Sequence, residues 1–190
     1  MTNSDTIYQM KKENPINLIG TKAILRSWRF EDKSSLLQHA NNYKIAINLR
    51  NQFPYPYTEQ NADEWLDFVS NLTSTSNLYL AIEVKNQAVG SMAITFGKDV
   101  HRCTAELGYW LGESYWNCGI MSEAVILLRN YAFDHFPNLQ RLYAEPFSTN
   151  LGSMKVLEKA QFEFEGRLRK SVINRDGKIL DQHLYAFIRK

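Results

Sequence analysis

Apolar and polar residues alternate through Lys22-Ala23-Ile24-Leu25-Arg26-Ser27-Trp28, which reads as a first strand. Two further runs, Asn77–Val84 and Ala88–Phe96, are joined by the short turn Lys85-Asn86-Gln87 and read as a hairpin. Thr104–Leu111 and Arg141–Glu145 continue the strands, and Phe164–Ile173 and Ile179–Phe187 flank the turn Asn174–Lys178 as a second hairpin. Helical spacing marks Glu31–Asn41, with Leu36, Leu37 and Ala40 on one side. Thr58 suits an N-cap for a helix running to about Thr73, whose stripe is Trp65, Leu66, Phe68, Val69 and Leu72. A helix from Ser122 to about His135 and another opened by Asn150 alternate with the late strands. Phe53-Pro54-Tyr55-Pro56-Tyr57 is irregular, because each proline pushes the residue before it into extended geometry. The polar stretch 1–15 ends at Pro15 and reads as a frayed arm. The order predicts an α/β (α+β) fold with one domain over 20–190 behind an N-terminal arm at 1–19. Its mixed central sheet has about seven strands flanked by helices.

A chain of 190 residues with 44% hydrophobic content, ten Tyr and ten Phe can fill a core of that size. A formal charge of +2 gives no basis for a nucleic-acid or membrane surface. Cys103 and Cys118 need no disulfide, and the first residues lack a basic region followed by an apolar one. The expectation is a cytoplasmic protein. The four histidines and two cysteines are scattered without metal-ligand spacing, so no metal is expected. Arg129 fits an exposed helix side, and Arg167, Arg169 and Lys170 a solvated strand face.

The stretch from Thr104 to Ala160 carries the chemistry. A strand holding one carboxylate, Glu106, runs into the loop Trp116-Asn117-Cys118-Gly119-Ile120-Met121 at the start of a helix. Backbone N–H groups at such a helix start attract anions, and Gly119 permits φ > 0 and close approach. This is a frame for a phosphate-bearing cofactor.

The residues Tyr109–Ala124 resemble the acetyl-CoA loop of the GNAT superfamily, and more narrowly that of the Rim-type ribosomal-protein N-acetyltransferases. Asn150-Leu151-Gly152-Ser153-Met154-Lys155-Val156-Leu157-Glu158-Lys159-Ala160-Gln161-Phe162 is similar to the family's second signature, N-x-x-S-x-x-V-L-E-K-x-G-F, and Leu25-Arg26-Ser27-Trp28 to its first strand. Three departures stand out. Met121 occupies a position usually Gly or Ala, which is harmless if only its N–H faces phosphate. Gln161 replaces a glycine that serves as a left-handed helix cap. Leu157 stands where many members place a tyrosine general acid.

The resemblance implies acetyl-CoA as co-substrate, lying at the splay between the fourth and fifth strands. It implies that Asn117, Cys118, Gly119, Ile120 and Met121 hold the pyrophosphate, that Trp116 and Ser153 also contact the cofactor, and that backbone groups at Trp110 and Leu111 pair with the pantetheine arm. Asn150 is a helix cap that can also touch the cofactor. An acetyl transfer to nitrogen needs a neutral amine, which at pH 7 costs roughly 1 kcal/mol for an α-amino group and ~4.6 kcal/mol for a lysine. Glu106, on the same strand face as Gly108 and Trp110, is the candidate base. An N–H near Leu111 would serve the oxyanion, and Ser153 is the best substitute for the missing tyrosine.

These readings converge on an N-acetyltransferase acting on a primary amine, with a protein N-terminal α-amino group as the acceptor that the Rim-type resemblance implies. Direct attack in a ternary complex is the expected scheme. Phe53, Tyr55 and Tyr57 are candidate acceptor contacts. A small-molecule amine (aminoglycoside, polyamine or amino acid) acetyltransferase is the alternative, and a non-catalytic acyl-CoA-binding sensor module is an alternative of another class, motivated by Leu157 and Ser153. Monomer and homodimer both stay open.

Overall fold

The computed structural model of the chain describes residues 16–72 and 77–190, and its strands form one sheet of eight. The arm read over 1–15 and the last residue of the helix read to Thr73 lie outside the described residues. In chain order the elements are β1 (Asn17–Ile19), β2 (Ile24–Ser27), α1 (Lys33–Ala40), α2 (Tyr43–Ala46) and α3 (Glu59–Ser70). Then come β3 (Asn77–Val84), β4 (Gln87–Phe96), β5 (Thr104–Leu111), α4 (Ile120–His135) and β6 (Arg141–Ala144). The chain closes with α5 (Leu151–Lys159), β7 (Glu163–Ile173) and β8 (Ile179–Ile188). The eighth strand is β1, paired with β2 ahead of the boundary read at residue 20. With three residues it is too short to show a period.

Sheet order is β1-β2-β3-β4-β5-β6-β8-β7. Val84 pairs with Gln87, so Lys85 and Asn86 alone make the first hairpin turn. Both have positive φ, 50° and 63°, which matches the strand twist as a two-residue turn requires. The pairing of β5 with β6 is parallel and short. It covers Thr104–Glu106 against Arg141–Tyr143, whereas β5 pairs with β4 from Ala105 to Leu111. Beyond Glu106 the two strands part. This is the expected splay, the fourth and fifth strands when β1 is left out.

α4 lays Ile120, Met121, Ala124, Val125, Leu128 and Ala132 on the sheet. Leu128 has no exposed surface, and such a side chain contributes roughly 1.5–3 kcal/mol by burial. Leu128→Ala would cost about 2–5 kcal/mol, cavity included. A smaller cluster of Trp28, Leu36, Ala40, Tyr57, Ala62 and Leu66 packs α1 and α3 against Ala81 and Ala88. Thr58 caps α3 as expected, accepting from the Asn61 amide.

Arg129 corrects the sequence reading. It is 8% exposed rather than solvated. Its guanidinium donates to the Ala160 carbonyl at 2.7 Å and lies 4.2 Å over the Phe187 ring. The last turn of α5 leaves carbonyls without helical partners, and Arg129 satisfies one of them. Just beyond, Gln161 takes φ 62°. The Gln161 amide donates to the Glu158 carbonyl and the Phe162 amide to the Leu157 carbonyl. That is the Schellman arrangement, with Gln where glycine would sit without strain.

Candidate active site

The start of α4 is a cradle of free donors. Among the described residues, the amides of Asn117, Cys118, Gly119, Ile120 and Met121 donate to no protein acceptor. Asn117 and Gly119 have φ of 60° and 76°, which turns the loop sharply into the helix. A Cβ on Gly119 would lie 2.6 Å from the Lys22 ammonium. The side chains of Ile120 and Met121 are buried in the core, so Met121 offers only its N–H to the loop. The Cys118 side chain stays outside the adjoining cavity, while its carbonyl accepts from Lys22 Nζ at 2.8 Å.

Glu123, in the first turn of α4, holds Lys22 in place. Its carboxylate accepts from the Thr21 amide at 2.9 Å, the Lys22 amide at 2.8 Å and the Thr21 hydroxyl. Burial pushes this carboxyl up, but the hydrogen bonds from Thr21, Lys22 and Ala23 outweigh that and hold it below its ordinary range. The turn between β1 and β2 thereby brings a cation to a cluster of amides at a helix N-terminus. Free amides, a glycine at positive φ and a nearby ammonium fit a pyrophosphate. Lys22 was missed by sequence reading, since its loop partner lies 96 residues away.

The edge of β5 opened by the splay carries the next group of donors. The Gly112 amide donates to Val89 on β4 and the Thr104 carbonyl accepts from Gly97. By alternation the backbone groups of Gly108 and Trp110 face β4, and those of Tyr109 and Leu111 face the gap. Of the two residues expected to pair with an extended arm, only Leu111 points its N–H that way. Its carbonyl already accepts from the Trp116 indole at 2.7 Å. Trp110 contributes its ring, 5.8 Å from that of Phe53.

A second cavity, of about 610 Å³, lies on the other side of that edge. Glu106 lines it, together with Arg50, Glu145, Phe53, Tyr57 and Trp65. Glu106 pairs with Arg50, 56 residues earlier. Burial raises the Glu145 carboxyl above its ordinary range, the charge of Glu106 adds to this and Arg50 opposes it. The Phe53 and Tyr57 rings are 5.3 Å apart and form an aromatic wall. Tyr55 departs from the expected trio: it does not line the cavity and packs outside on Tyr43, ring to ring at 5.3 Å.

The wall is tied down from the far end of the sheet. Arg175, in the turn between β7 and β8, donates to the Phe53 carbonyl, and Asp176 accepts from the Tyr43 hydroxyl. Asn174, 7% exposed, stiffens the turn by accepting from the Asp176 amide at 3.1 Å and the Lys178 amide at 2.8 Å.

The cavity beside the cradle, about 490 Å³, and the one around Glu106 meet at Asn48, Leu49, Tyr109, Trp110, Asn150 and Ser153. Asn150 caps α5 by accepting from the Ser153 amide at 3.1 Å. The Ser153 hydroxyl lies 2.7 Å from the Tyr109 hydroxyl. Leu157 has no exposed surface, so α5 sends no polar group there from that position. These six residues line both cavities. Sequence reading placed Glu106, Trp110, Asn150 and Ser153 here, and missed Arg50, Glu145 and Tyr109.

Residues 22–163 match the acetyltransferase (GNAT) domain family. The probable N-acetyltransferase YjcK of Bacillus subtilis (strain 168) is 51% identical over 69 residues, which is 36% of this chain and 38% of that protein. The uncharacterized N-acetyltransferase p20 of Bacillus licheniformis is 25% identical over 169 residues, covering 87% of this chain and 92% of p20. Among solved structures, the ribosomal L7/L12 alpha-N-protein acetyltransferase RimL in complex with coenzyme A has a TM-score of 0.80 at 20% identity, covering 91% of this chain and 98% of its own. The microcin C7 self immunity acetyltransferase MccE, in complex with acetyl-CoA and AMP, has a TM-score of 0.75 at 21% identity, covering 90% and 94%. At these identities the structural likeness concerns the fold. No helix among the described residues is long and apolar enough to cross a membrane.

Proposed function

The chain belongs to the GNAT acetyltransferase family, and from that premise we propose that it acetylates the N-terminal α-amino group of a protein or peptide. The observation that carries this reading is the junction of the two cavities. One side offers donors for phosphate and the other a carboxylate, and six residues line both.

Acetyl-CoA supplies the activated acyl group as a thioester. The amides of Asn117–Met121 and the Lys22 ammonium hold its pyrophosphate, and Trp116 and Asn150 wall that side. The Leu111 N–H, on the open edge of β5, faces the oxyanion that develops as nitrogen attacks. Glu106 takes the proton from the amine, directly or through a water. Ser153 donates a hydrogen bond to the departing sulfur. Phe53 and Tyr57 grip the acceptor, and Tyr55 has no part in it.

An α-amino group suits this site because its neutral form costs only roughly 1 kcal/mol at pH 7, within reach of one carboxylate. The test is thiol release from acetyl-CoA over a panel of N-terminal peptides, amino acids, polyamines and aminoglycosides. Turnover with peptides above the small amines supports the proposal. Turnover confined to a small amine moves the acceptor to that class. Binding of acetyl-CoA with no acceptor-dependent release would make the chain a sensor instead.

A further inference from the structure

Among the six residues where the cavities meet, two hydroxyls touch each other. Tyr109 comes from β5 at the splay and Ser153 from the first turn of α5, with their oxygens 2.7 Å apart. We propose that Tyr109 is a positioning residue for the transfer step: its phenol holds the Ser153 hydroxyl as a donor toward the sulfur that leaves. The proposal rests on the reading of Ser153 given above.

A serine has one proton and two lone pairs. When Ser153 Oγ accepts from Tyr109, its own proton is free to point at the developing thiolate. The other acceptor within reach of the phenol, the Ser153 carbonyl, is farther away at 3.3 Å. Burial pushes the Tyr109 phenol well above its ordinary range, outweighing the opposing effect of the Ser153 hydrogen bond. The phenol therefore keeps its proton, and the shorter distance to Ser153 Oγ than to the Ser153 carbonyl makes that hydroxyl its nearer acceptor. The buried Leu157 leaves no phenol on α5, and Tyr109 brings one from the strand facing it.

Acidities decide what the pair does. A thiol ionises near about 8.5 and an unperturbed phenol near about 10, so neither Tyr109 nor Ser153 surrenders its proton to the thiolate. They lend hydrogen bonds. The nitrogen lone pair forms the C–N bond, and the C–S bond breaks with its electron pair on sulfur. The proton lost by nitrogen passes to Glu106 and on to solvent, and sulfur takes one from solvent.

The test uses the full chain with the best amine from the panel. Steady-state rates and acetyl-CoA affinity are measured for the parent, Tyr109→Phe, Ser153→Ala, the double variant and Ser153→Thr. In Ser153→Ala the hydrogen bond to the departing sulfur is lost, and in Tyr109→Phe the hydroxyl that makes it is no longer held, so kcat should fall about 10- to 100-fold in each. The double variant should be no slower than the singles, acetyl-CoA affinity should hold, and Ser153→Thr should keep most of the rate. Parental kcat in Tyr109→Phe, or losses that multiply in the double variant, would overturn the proposal. So would a loss confined to acetyl-CoA affinity. Should Tyr109→Phe fold poorly, 3-fluorotyrosine placed at 109 keeps the shape with a stronger donor. A raised kcat supports the role, and an unchanged one overturns it. A parent that transfers acetyl while Tyr109→Phe transfers equally well removes only Tyr109. A parent with no acceptor-dependent release removes the acyl-transfer reading as well.

Discussion

Arg50 and Glu106 form an ion pair in the cavity of about 610 Å³, the Glu106 side chain 23% exposed and that of Arg50 63% exposed. A guanidinium that already occupies the carboxylate competes with any cationic amine approaching it. A pair this open to water contributes at most about 1 kcal/mol, so an acceptor can displace it. Arg50→Gln should lower KM for a cationic acceptor by roughly 2- to 5-fold with little change in kcat. A raised KM in steady-state kinetics would show that Arg50 binds the acceptor itself.

Acetyl-CoA should raise the melting temperature of the parent by linkage. Gly119→Val should abolish most of that rise. Its φ of 76° disfavours a β-branched residue, and the new side chain would meet Lys22. Equal stabilisation of parent and variant in thermal melts would remove the loop from phosphate binding.

Glu106→Gln keeps the shape and removes the proton acceptor. A loss of roughly 10²–10⁴-fold in kcat/KM is expected at pH 7, shrinking at high pH where the amine is already neutral. For an α-amino acceptor the parental profile should level off above about pH 8, and for a lysine-like one it should climb toward about pH 10. An undiminished rate at pH 7 would give the role of base to another group, with Glu145 the first to try.

Gln161→Gly should stabilise the protein. The left-handed conformation costs a side-chain-bearing residue about 1–2 kcal/mol, and the greater freedom of glycine in the unfolded chain returns part of that. A net gain of about 0.5–1 kcal/mol, or roughly 1–4 °C in Tm, is expected. A lower Tm would show that the Gln161 side chain contributes more than the strain removes.

The carboxyl of Glu123 lies below its ordinary value of 4.5 in the folded chain. Its contribution to stability is therefore complete above that value and is lost as pH falls through the lower folded one. Glu123→Gln should cost about 1 kcal/mol at pH 7, after allowing for solvent screening. The gap in Tm between variant and parent should narrow as pH falls below 4.5 and through the lowered folded value. A gap that persists in acid would assign the effect to packing.

Local patterns carried most of the fold. Alternation, caps and the two signatures are read within a dozen residues, and β3, β5 and the Thr58 cap fell where they pointed. Long-range pairings could not be read in this way. Arg50 meets Glu106 across 56 residues, Tyr109 meets Ser153 across 44, and Lys22 meets Cys118 across 96. Arg129 looked exposed because its partner, the end of α5, is 31 residues on. Alternation along β5 puts Tyr109 opposite Glu106 in facing, so a polar group on each side of that strand was foreseeable.

The turn between β7 and β8 holds the aromatic wall through Arg175 on the Phe53 carbonyl, and Asp176 accepts from the Tyr43 hydroxyl beside it. The cradle for phosphate has no bond to that turn among the described residues. If Phe53 and Tyr57 grip the acceptor as proposed, residues 174–178 can lengthen, shorten or change charge and reset that fit while the currency of the reaction, acetyl-CoA, stays the same. In this architecture a change of clientele needs no change of supply.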